Sequence, residues 1–314
     1  MIGKKRNTEI STHTNGKDKH KHKEEDDDND LKLNSDDIKL NTTKLPRKDS
    51  AARCELESFG ISKEISEKLK EKGIHALFEV QQKVFFPVLN GENTIVASLT
   101  GSGKTLSFIL PILEKCKKKN RFNQTHPVVI VLAPTRELAI QIANEFSSLA
   151  SKNKTTGFYF KTSVLYGGNP IDEQINALNR GVDIVVGTPG RILDLIGRKA
   201  LHLDNLRFGV IDEADKMLEM GFQEPIEEIF DYIYKETSKL QVCLFSATIH
   251  KWVIETAKTI MRHKDHTFIN LVANLKGRCA VGVEHLAVNC LKSEKITTIA
   301  DLSKLFFILF FLSI

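Results

Sequence analysis

From about residue 56 onward, the sequence alternates short apolar runs rich in β-branched residues with amphipathic stretches of roughly ten to fifteen residues. This alternation predicts strand–helix units, which build a parallel sheet with helices packed on its faces. The runs predict strands at residues 94–97, 128–133, 162–166, 183–186, 207–211 and 242–245. We therefore expect an α/β fold with a mostly parallel sheet.

Each predicted strand is followed at once by a short polar cluster. In chain order these clusters read SLTGSGKT, PTREL, GGN, TPGR, DEAD and SAT. All strands of a parallel sheet point the same way, so the clusters should share one edge of the sheet, where open α/β folds bind ligands. We expect the carboxylates of Asp212, Glu213 and Asp215 to face the other five clusters at this edge.

The cluster TGSGKT at residues 100–105 lies between a predicted strand and an amphipathic helix, as a phosphate-binding loop requires. Glycines let the backbone approach phosphate, amides at the helix start donate to it, Lys104 adds positive charge, and Thr105 can ligate Mg²⁺. A Gly-rich turn formed by chance is the alternative, which the flanking segments disfavour. The predicted nucleotide-contacting residues of this cluster are Ser98, Leu99, Thr100, Gly101, Ser102, Gly103, Lys104 and Thr105.

Three carboxylates follow the apolar run 208–211, although a buried carboxylate is costly unless a cation pairs with it. A carboxylate at the end of a strand neighbouring the phosphate loop can hold Mg²⁺ through water, and we assign this role to Asp212. Glu213 would orient the water that attacks the γ-phosphate. The alternative, that Asp212 caps the helix beginning near Ala214, does not explain Glu213. The expected catalytic residues are Glu213, Asp212 and Lys104, and the expected Mg²⁺ ligands are Thr105 and Asp212.

The nucleotide base is predicted by elimination. A guanine-specific site would need an NKxD-type stretch, and the nearest sequence, NKTT at residues 153–156, lacks the carboxylate. We therefore expect ATP rather than GTP.

The composition limits the class of protein. A chain of 314 residues, 41% of them hydrophobic, can form one large domain or two ordinary ones. The five cysteines include no CxxC pair, and no secretory pattern is present at the N-terminus, which indicates a reducing intracellular compartment. The net charge of +5 suits a nucleic-acid backbone without requiring one.

Residues 1–50 contain no aromatic residue and few branched apolar ones, so they predict a disordered charged tail. His20 and His22 could bind a metal, but a solvated charge run is the favoured interpretation. The short cluster Lys4-Lys5-Arg6 is weak evidence for a nuclear signal.

The motifs TGSGKT, PTRELA, GG, TPGR, DEAD and SAT occur in the order found in the DEAD-box RNA helicases, which the chain resembles from Phe59 to about Leu302. The resemblance implies a RecA-like P-loop domain that uses ATP and Mg²⁺ and acts on RNA. The stretch FGISKEISEKLKEKGIHALFEVQ looks like the family's adenine-reading segment, with Phe59 stacking on the base and Gln81 hydrogen-bonding its edge. Leu77 and Phe78 replace the usual Pro-Thr, a variant that is similar to the nucleolar Gu-type branch.

The resemblance also implies an RNA track along the same edge. Glycine amides and the start of the helix after Thr188 would contact phosphates, and arginines would neutralise them, which gives sequence-independent binding. Taken alone, TPGR could be a plain helix cap and SAT an ordinary turn. By analogy, Asp215, Ser246 and Thr248 couple the nucleotide site to the RNA site. The implied RNA-binding residues are Pro134, Thr135, Arg136, Gly167, Gly168, Thr188 and Arg191.

The domain organisation follows from the same comparison. Residues 51–273 are assigned to a RecA-like ATP-binding domain, 274–304 to a linker and the start of a second helicase domain, and 305–314 to an aberrant apolar tail. The run at 305–312 is well short of the about 20 residues that span a bilayer, so no membrane association is expected. A second domain needs roughly 150 more residues and supplies arginines to the ATP site. We therefore expect a truncated or mis-spliced product with little activity of its own.

The sequence thus favours the ATP-binding domain of an ATP-dependent RNA helicase, with RNA and ribosome-assembly proteins as partners. The expected location is the nucleus and its nucleolus, with the cytoplasm as the alternative. A second hypothesis is a non-catalytic RNA-binding or assembly module, or an inactive fragment of a helicase gene, and Glu213 discriminates because a scaffold does not need it. A DNA translocase of the same superfamily is disfavoured by the order Asp-Glu-Ala-Asp.

Overall fold

The computed structural model describes residues 54–117, 125–150, 159–262, 264–272 and 291–312, and the side chains of all of these except 54, 55 and 305–312. The predicted tail at 1–50, with His20, His22 and the cluster at 4–6, lies outside the described residues. Most of the predicted linker at 274–304 lies outside them as well.

Six of the nine strands in the described part of the chain fall where the apolar runs predict them, within one residue at each end. The nine are β1 (Cys54–Glu55), β2 (Ala76–Leu77), β3 (Asn93–Ala97), β4 (Val129–Leu132), β5 (Thr162–Leu165), β6 (Ile184–Gly187), β7 (Phe208–Ile211), β8 (Gln241–Ser246) and β9 (His266–Asn270). The short pair β1–β2 and the strand β9 were not predicted. β9 is half-polar and only partly buried, so it lacks the apolar run that marks the other strands.

The helices alternate with the strands. They are α1 (Lys63–Glu71), α2 (Glu79–Asn90), α3 (Lys104–Lys117), α4 (Arg136–Leu149), α5 (Ile171–Asn179), α6 (Pro189–Gly197), α7 (Ala214–Glu219), α8 (Gln223–Glu236), α9 (Lys251–Ile260) and α10 (Lys295–Leu312). The predicted apolar run at 305–312 lies within α10. No helix in the described part of the chain is both long and apolar enough to cross a membrane.

Seven strands form one sheet in the order β5-β6-β4-β7-β8-β3-β9, and every neighbouring pair is parallel. The predicted α/β fold with a mostly parallel sheet is therefore confirmed. All six polar clusters follow the carboxyl ends of their strands and share one edge. One detail is corrected: β7, which carries Asp212, is not the neighbour of β3, because β8 lies between them.

Two apolar cores cover the two faces of this sheet. Phe85, Phe108 and Phe146 belong to the core under α1–α4. Ile192, Ile229 and Val253 of α6, α8 and α9 belong to the core on the other face. Because both faces are covered, the central strands β4, β6 and β7 are continuous apolar runs.

Candidate nucleotide and nucleic-acid site

The phosphate-binding loop connects β3 to α3, which begins at Lys104. Gly101 and Gly103 have backbone φ angles of +76° and +88°, a region that glycine adopts without steric cost. A Cβ at Gly103 would lie 2.5 Å from Nε2 of Gln81 and 2.9 Å from Cδ2 of Phe78. Glycine at residue 103 is thus required both by the backbone conformation and by the close approach of the start of α2.

The ammonium of Lys104 lies folded into this loop. Its Nζ donates hydrogen bonds to the carbonyl oxygens of Ser98 (2.7 Å) and Leu99 (3.1 Å). Ser98 Oγ donates to Ser102 Oγ at 2.7 Å, a bond that helps to close the turn. Burial lowers the pKa of Lys104, and the nearby carboxylates, Asp212 first, oppose this change. A buried ammonium that is held by carbonyl oxygens can bind an anionic ligand instead.

Asp212 is the most deeply buried of the three carboxylates, with 2% of its surface exposed. Burial raises its pKa to about 6, although the positive charge of Lys104 acts in the opposite direction. Its Oδ1 accepts a hydrogen bond from the N–H of Glu213 (3.0 Å), which precedes α7. The alternative role as a cap for α7 is not supported, because the accepted N–H belongs to the residue before the helix.

Glu213 adopts a left-handed backbone conformation, with φ +53° and ψ +51°. For a residue with a Cβ, this conformation costs on the order of 1 kcal/mol. Lys199 and Arg262 adopt a similar φ just after the ends of α6 and α9, so the conformation alone does not mark a functional residue. Its Oε2 accepts a hydrogen bond from Nζ of Lys216 at 2.9 Å. Glu213 lines the same cleft as Asp212.

Asp215 joins the end of β7 to the loop after β8. Its Oδ2 accepts hydrogen bonds from the N–H groups of Ala247 (3.2 Å) and Thr248 (2.9 Å) and from Thr248 Oγ1 (2.9 Å). Ser246 Oγ donates to the carbonyl oxygen of Thr248 at 2.5 Å. The other carboxylate oxygen of Asp215, Oδ1, is buried without a hydrogen-bond partner. The residues assigned to coupling therefore form one bonded unit.

A cleft of about 520 Å³ opens at this edge, which is a typical volume for a small-molecule site. The structure brings several predicted residues together in its walls, namely Thr100, Gly101, Gly103, Lys104, Thr105, Asp212 and Glu213. Six further residues line the cleft that sequence reasoning missed: Lys72, Ile74, Leu106, Leu138, Gln141 and Glu145. Leu138, Gln141 and Glu145 follow one another at intervals of three and four residues on α4, a spacing that places them on one helix face and could have revealed them.

The two residues assigned to the base have different surroundings. The side chain of Gln81 is buried, donates from Nε2 to the carbonyl oxygen of Gly103 (3.1 Å) and accepts from the N–H of Phe78 (2.8 Å). Phe59 is only 8% exposed and packs against the rings of Phe85 and Phe86, with centroids 5.6 Å away in both cases. Phe59 is not among the residues that line the cleft, whereas Ile74 is. Contact between Phe59 and a base therefore stays a prediction.

The residues assigned to RNA follow the three adjacent strands β5, β6 and β4, at one half of the edge. Thr135 Oγ1 accepts from the N–H of Leu138 (3.3 Å) and caps α4, while Thr188 stands at the N-cap of α6 without a side-chain capping bond. Nη1 of Arg191 donates to the carbonyl oxygen of Asn169 at 3.1 Å, which ties α6 to the Gly167-Gly168 turn. Pro134 and Arg136 lie at the start of α4. Arg136 is exposed beside Glu137.

The donor set at the cleft fits Mg²⁺ bound mainly through phosphate and water. Among the residues that the structure describes, no group of three His, Cys, Asp or Glu side chains is arranged to hold a metal ion by itself. Asp212 is a buried carboxylate with little compensating charge, and the Thr105 hydroxyl side chain lines the same cleft. Such a site needs few protein ligands, because Mg²⁺ usually keeps several waters and binds substrate phosphates.

The parallel sheet, the phosphate loop and the carboxylates two strands away define a RecA-like P-loop domain. The DEAD/DEAH box helicase family model matches residues 78–256, which is more than half of the chain. The chain belongs to the DEAD/DEAH box helicase family. This confirms the family resemblance carried by the six sequence motifs.

Individual relatives agree with this assignment. The chain is 40% identical over 252 residues to Nucleolar RNA helicase 2-A of Xenopus laevis, covering 79% of this chain and 32% of that protein. It is 38% identical over 276 residues to ATP-dependent RNA helicase DDX50 of Homo sapiens, covering 87% of this chain and 36% of that protein. The chain thus spans about a third of the length of the curated relatives it matches. The similarity to the nucleolar branch is confirmed.

The fold is also similar to a solved structure, a DEAD box protein from the hyperthermophile Methanococcus jannaschii. The two chains are 37% identical with a TM-score of 0.61, and the match covers 70% of this chain and 56% of the other.

Proposed function

We propose that this chain is the ATP-binding domain of an ATP-dependent RNA helicase, which binds Mg-ATP in the cleft and the RNA backbone beside it. The observation that carries the proposal is the buried pair Lys104 and Asp212, both with displaced pKa values, in the walls of a cleft built on a phosphate loop. Such opposed charges, each held in an unfavourable environment, are typical of functional sites.

The nucleotide roles divide among the loop and the carboxylates. The amides of residues 100–105 and Lys104 would bind the β- and γ-phosphates. Asp212, through water, and Thr105 would hold Mg²⁺, which neutralises charge on the phosphates. Glu213 would orient the attacking water, and its left-handed backbone supports a role that requires a fixed direction.

The base would lie toward Ile74 and Gln81. Gln81 already contacts Gly103 of the phosphate loop, so its amide can report on both the base and the loop. Phe59, packed on Phe85 and Phe86, supports the helix that carries Gln81, and its proposed stacking on adenine needs a shift of that aromatic cluster.

The RNA backbone would follow the loops after β4, β5 and β6. Gly167 and Gly168 offer backbone amides, Thr188 and the start of α6 offer a helix N-terminus, and Arg136 and Arg191 supply charge. Asp215, Ser246 and Thr248 would connect this track to the nucleotide, since Asp215 follows Asp212 by three residues and bonds to the loop after β8.

The nuclear, nucleolar location is proposed from the relatives' names alone, since two of them are named as nucleolar RNA helicases. Ribosome-assembly proteins as partners of the whole protein stay a prediction from the sequence.

The RNA assignment can be tested with Arg136→Ala in the full chain. Binding of a labelled single-stranded RNA of mixed sequence is followed by fluorescence anisotropy with a non-hydrolysable Mg-ATP analogue, at several salt concentrations. Loss of one phosphate contact should weaken binding for all sequences and reduce the slope of log K against log salt by about 1.

Arg198→Ala is the matched control. Arg198 is also an exposed arginine beside a carboxylate, Asp194, but it lies at the far end of α6. Equal losses in the two variants, or tighter binding of single-stranded DNA than of RNA, would contradict the proposed track.

A further inference from the structure

Helix α1 is attached to the body of the domain at both ends. At its N-terminal end, Glu114 Oε1 accepts from the N–H of Ser62 at 2.8 Å, and Lys117 pairs with Glu64. At its C-terminal end, Lys72 pairs with Glu145 of α4. The first attachment joins α1 to α3, and the second joins it to α4.

Lys72 is attached to α4 through its ammonium group. Nζ donates to Glu145 Oε1 (2.7 Å), Glu145 Oε2 (2.6 Å) and Ser148 Oγ (2.9 Å). It thus faces both oxygens of the Glu145 carboxylate and also bonds to a second residue of α4. Lys72 and Glu145 nevertheless line the cleft. Their geometry suits a fixed wall better than a group that reaches for phosphate.

The segment that follows Lys72 is the one assigned to the base. Gly73 has a φ angle of +75° and closes α1 in a backbone cap, in which the N–H of Gly73 donates to the carbonyl oxygen of Lys70 (2.9 Å). Ile74 then enters the wall of the cleft, and Gln81 lies at the other end of this segment, bonded to Gly103. Lys72 is the C-cap of α1, so its attachment to Glu145 holds the end of the helix against α4 at the point where the segment begins.

We propose that the Lys72–Glu145 pair is a clamp that positions the base-reading segment 73–81 against α4, and so tunes affinity for the nucleotide base. Lys72 and Glu145 are positioning residues in this role and contact no phosphate. The inference rests on the proposed nucleotide site, and it adds a link from the base to α4, the helix that begins at the proposed RNA contact Arg136.

A clamp and a direct charge effect predict different signs for the change in ATP affinity when Glu145 is replaced. If Lys72 acted through its charge on the triphosphate, Lys72→Ala would weaken ATP binding, and Glu145→Gln would strengthen it. If the pair acts as a clamp, both changes release the segment and both weaken ATP binding. The swapped pair, Lys72→Glu with Glu145→Lys, should then restore binding.

The first measurement is hydrogen exchange in the full chain without nucleotide. The clamp predicts that Lys72→Ala and Glu145→Gln speed exchange of amides within 73–81, while Lys117→Ala leaves them unchanged. Lys117 is the matched control, because its pair with Glu64 also holds α1 and is similarly exposed, at 27% and 17% against 34% and 23% for Lys72 and Glu145. Unchanged exchange at 73–81 in both clamp variants overturns the proposal, whether or not the chain binds ATP.

The second measurement compares Mg-ATP with Mg-tripolyphosphate by calorimetry. Releasing the segment should weaken ATP binding by about three- to tenfold, the scale of ordering one or two side chains on binding, and leave tripolyphosphate binding unchanged. The swapped pair should return to within about twofold of the wild type. Parallel losses for both ligands, or a gain in Glu145→Gln, overturn the clamp. If the wild type fails to bind ATP while exchange at 73–81 still responds, the proposed function and the effect on base affinity both fail, and only the positioning of 73–81 by the pair stands.

Discussion

Polar side chains are buried at both edges of the seven-stranded sheet, the amino edge where the strands begin and the carboxyl edge where they end. The two sets of side chains differ in how well their hydrogen bonds and charges are compensated. At the amino edge, the amide of Gln241 accepts from Lys115 Nζ (3.0 Å) and donates to the carbonyl oxygens of Val88 (3.0 Å) and Glu92 (2.7 Å). Asn93 Oδ1 accepts from the N–H of Val242 at 2.8 Å beside it. Both the oxygen and the nitrogen of the Gln241 side-chain amide thus have protein partners.

At the carboxyl edge, the buried groups are less well compensated. The pKa of Asp212 is raised to about 6, that of Lys104 is lowered, and Asp215 Oδ1 is buried without a partner. A buried polar group costs free energy unless something pairs with it. The Gln241 cluster at the amino edge is therefore satisfied by protein partners, whereas the Lys104 and Asp212 cluster at the carboxyl edge is arranged for a charged ligand.

Removing the Gln241 hydrogen bonds at the amino edge should give the largest change in the free energy of unfolding. Gln241→Leu removes three buried or part-buried hydrogen bonds, one from Lys115 and two to the carbonyl oxygens of Val88 and Glu92, so the free energy of unfolding should fall by about 2–4 kcal/mol. Urea denaturation measures this loss. Mg-ATP affinity should stay within about twofold of the wild type, and a larger change would show that the two edges do not have separate roles.

Breaking the carboxyl edge should instead change binding. Lys104→Ala removes the main protein charge on the phosphates and should weaken Mg-ATP binding by about 1.5–3 kcal/mol, the scale of a hydrogen bond between charged groups. Calorimetry measures the affinity. Lys115→Ala is the control, since Lys115 lies at the other end of the same helix, at the amino edge. Wild-type affinity in Lys104→Ala would refute the phosphate-loop assignment.

The sequence predicts the edge but not the arrangement along it. Because parallel strands end at the same edge, reading six polar clusters after six apolar runs was enough to bring Lys104, Asp212 and Glu213 into one cleft. The spatial order of strands is set by crossover connections, which leave no local pattern, so β8 between β3 and β7 was not foreseen. Ile74 and Glu145 were missed because a cleft wall is made by the packing of α1 against α4, far apart in sequence.

The free energy of unfolding should depend on pH through Asp212 at the carboxyl edge. The pKa of Asp212 is raised from its ordinary value of 3.8 to about 6, so the folded state holds the proton more tightly than the unfolded state does. The ionised carboxylate therefore costs stability above about pH 6, and this cost is absent below pH 3.8.

We expect Asp212→Asn, without Mg²⁺ or nucleotide, to raise the free energy of unfolding at pH 7.5 by about 1–3 kcal/mol. The lost attraction to Lys104 offsets part of the gain. The difference should shrink as the pH falls from 6 toward 4, as measured by urea denaturation at each pH. A destabilised variant at pH 7.5 would mean that the attraction between Asp212 and Lys104 outweighs the cost of burial.

The smallest expected effect tests how the base is read. The side-chain amide that Gln81→Ala removes already has hydrogen bonds to Gly103 and Phe78. A nucleotide base can therefore bond to Gln81 only by replacing these neutral hydrogen bonds. ATP affinity should therefore fall by only about 0.5–1.5 kcal/mol, with most of the preference over GTP lost. Competition between ATP and GTP in the full chain measures both, and Gln82→Ala, which bonds instead to the carbonyl oxygen of Leu77, is the control. If Gln81→Ala keeps the ATP preference and Phe59→Leu removes it, the aromatic cluster rather than the amide reads the base. The ligand-binding site at the carboxyl edge would then include part of the apolar core. The contrast between an edge that binds ligand and an interior that only stabilises the fold would be wrong at Phe59.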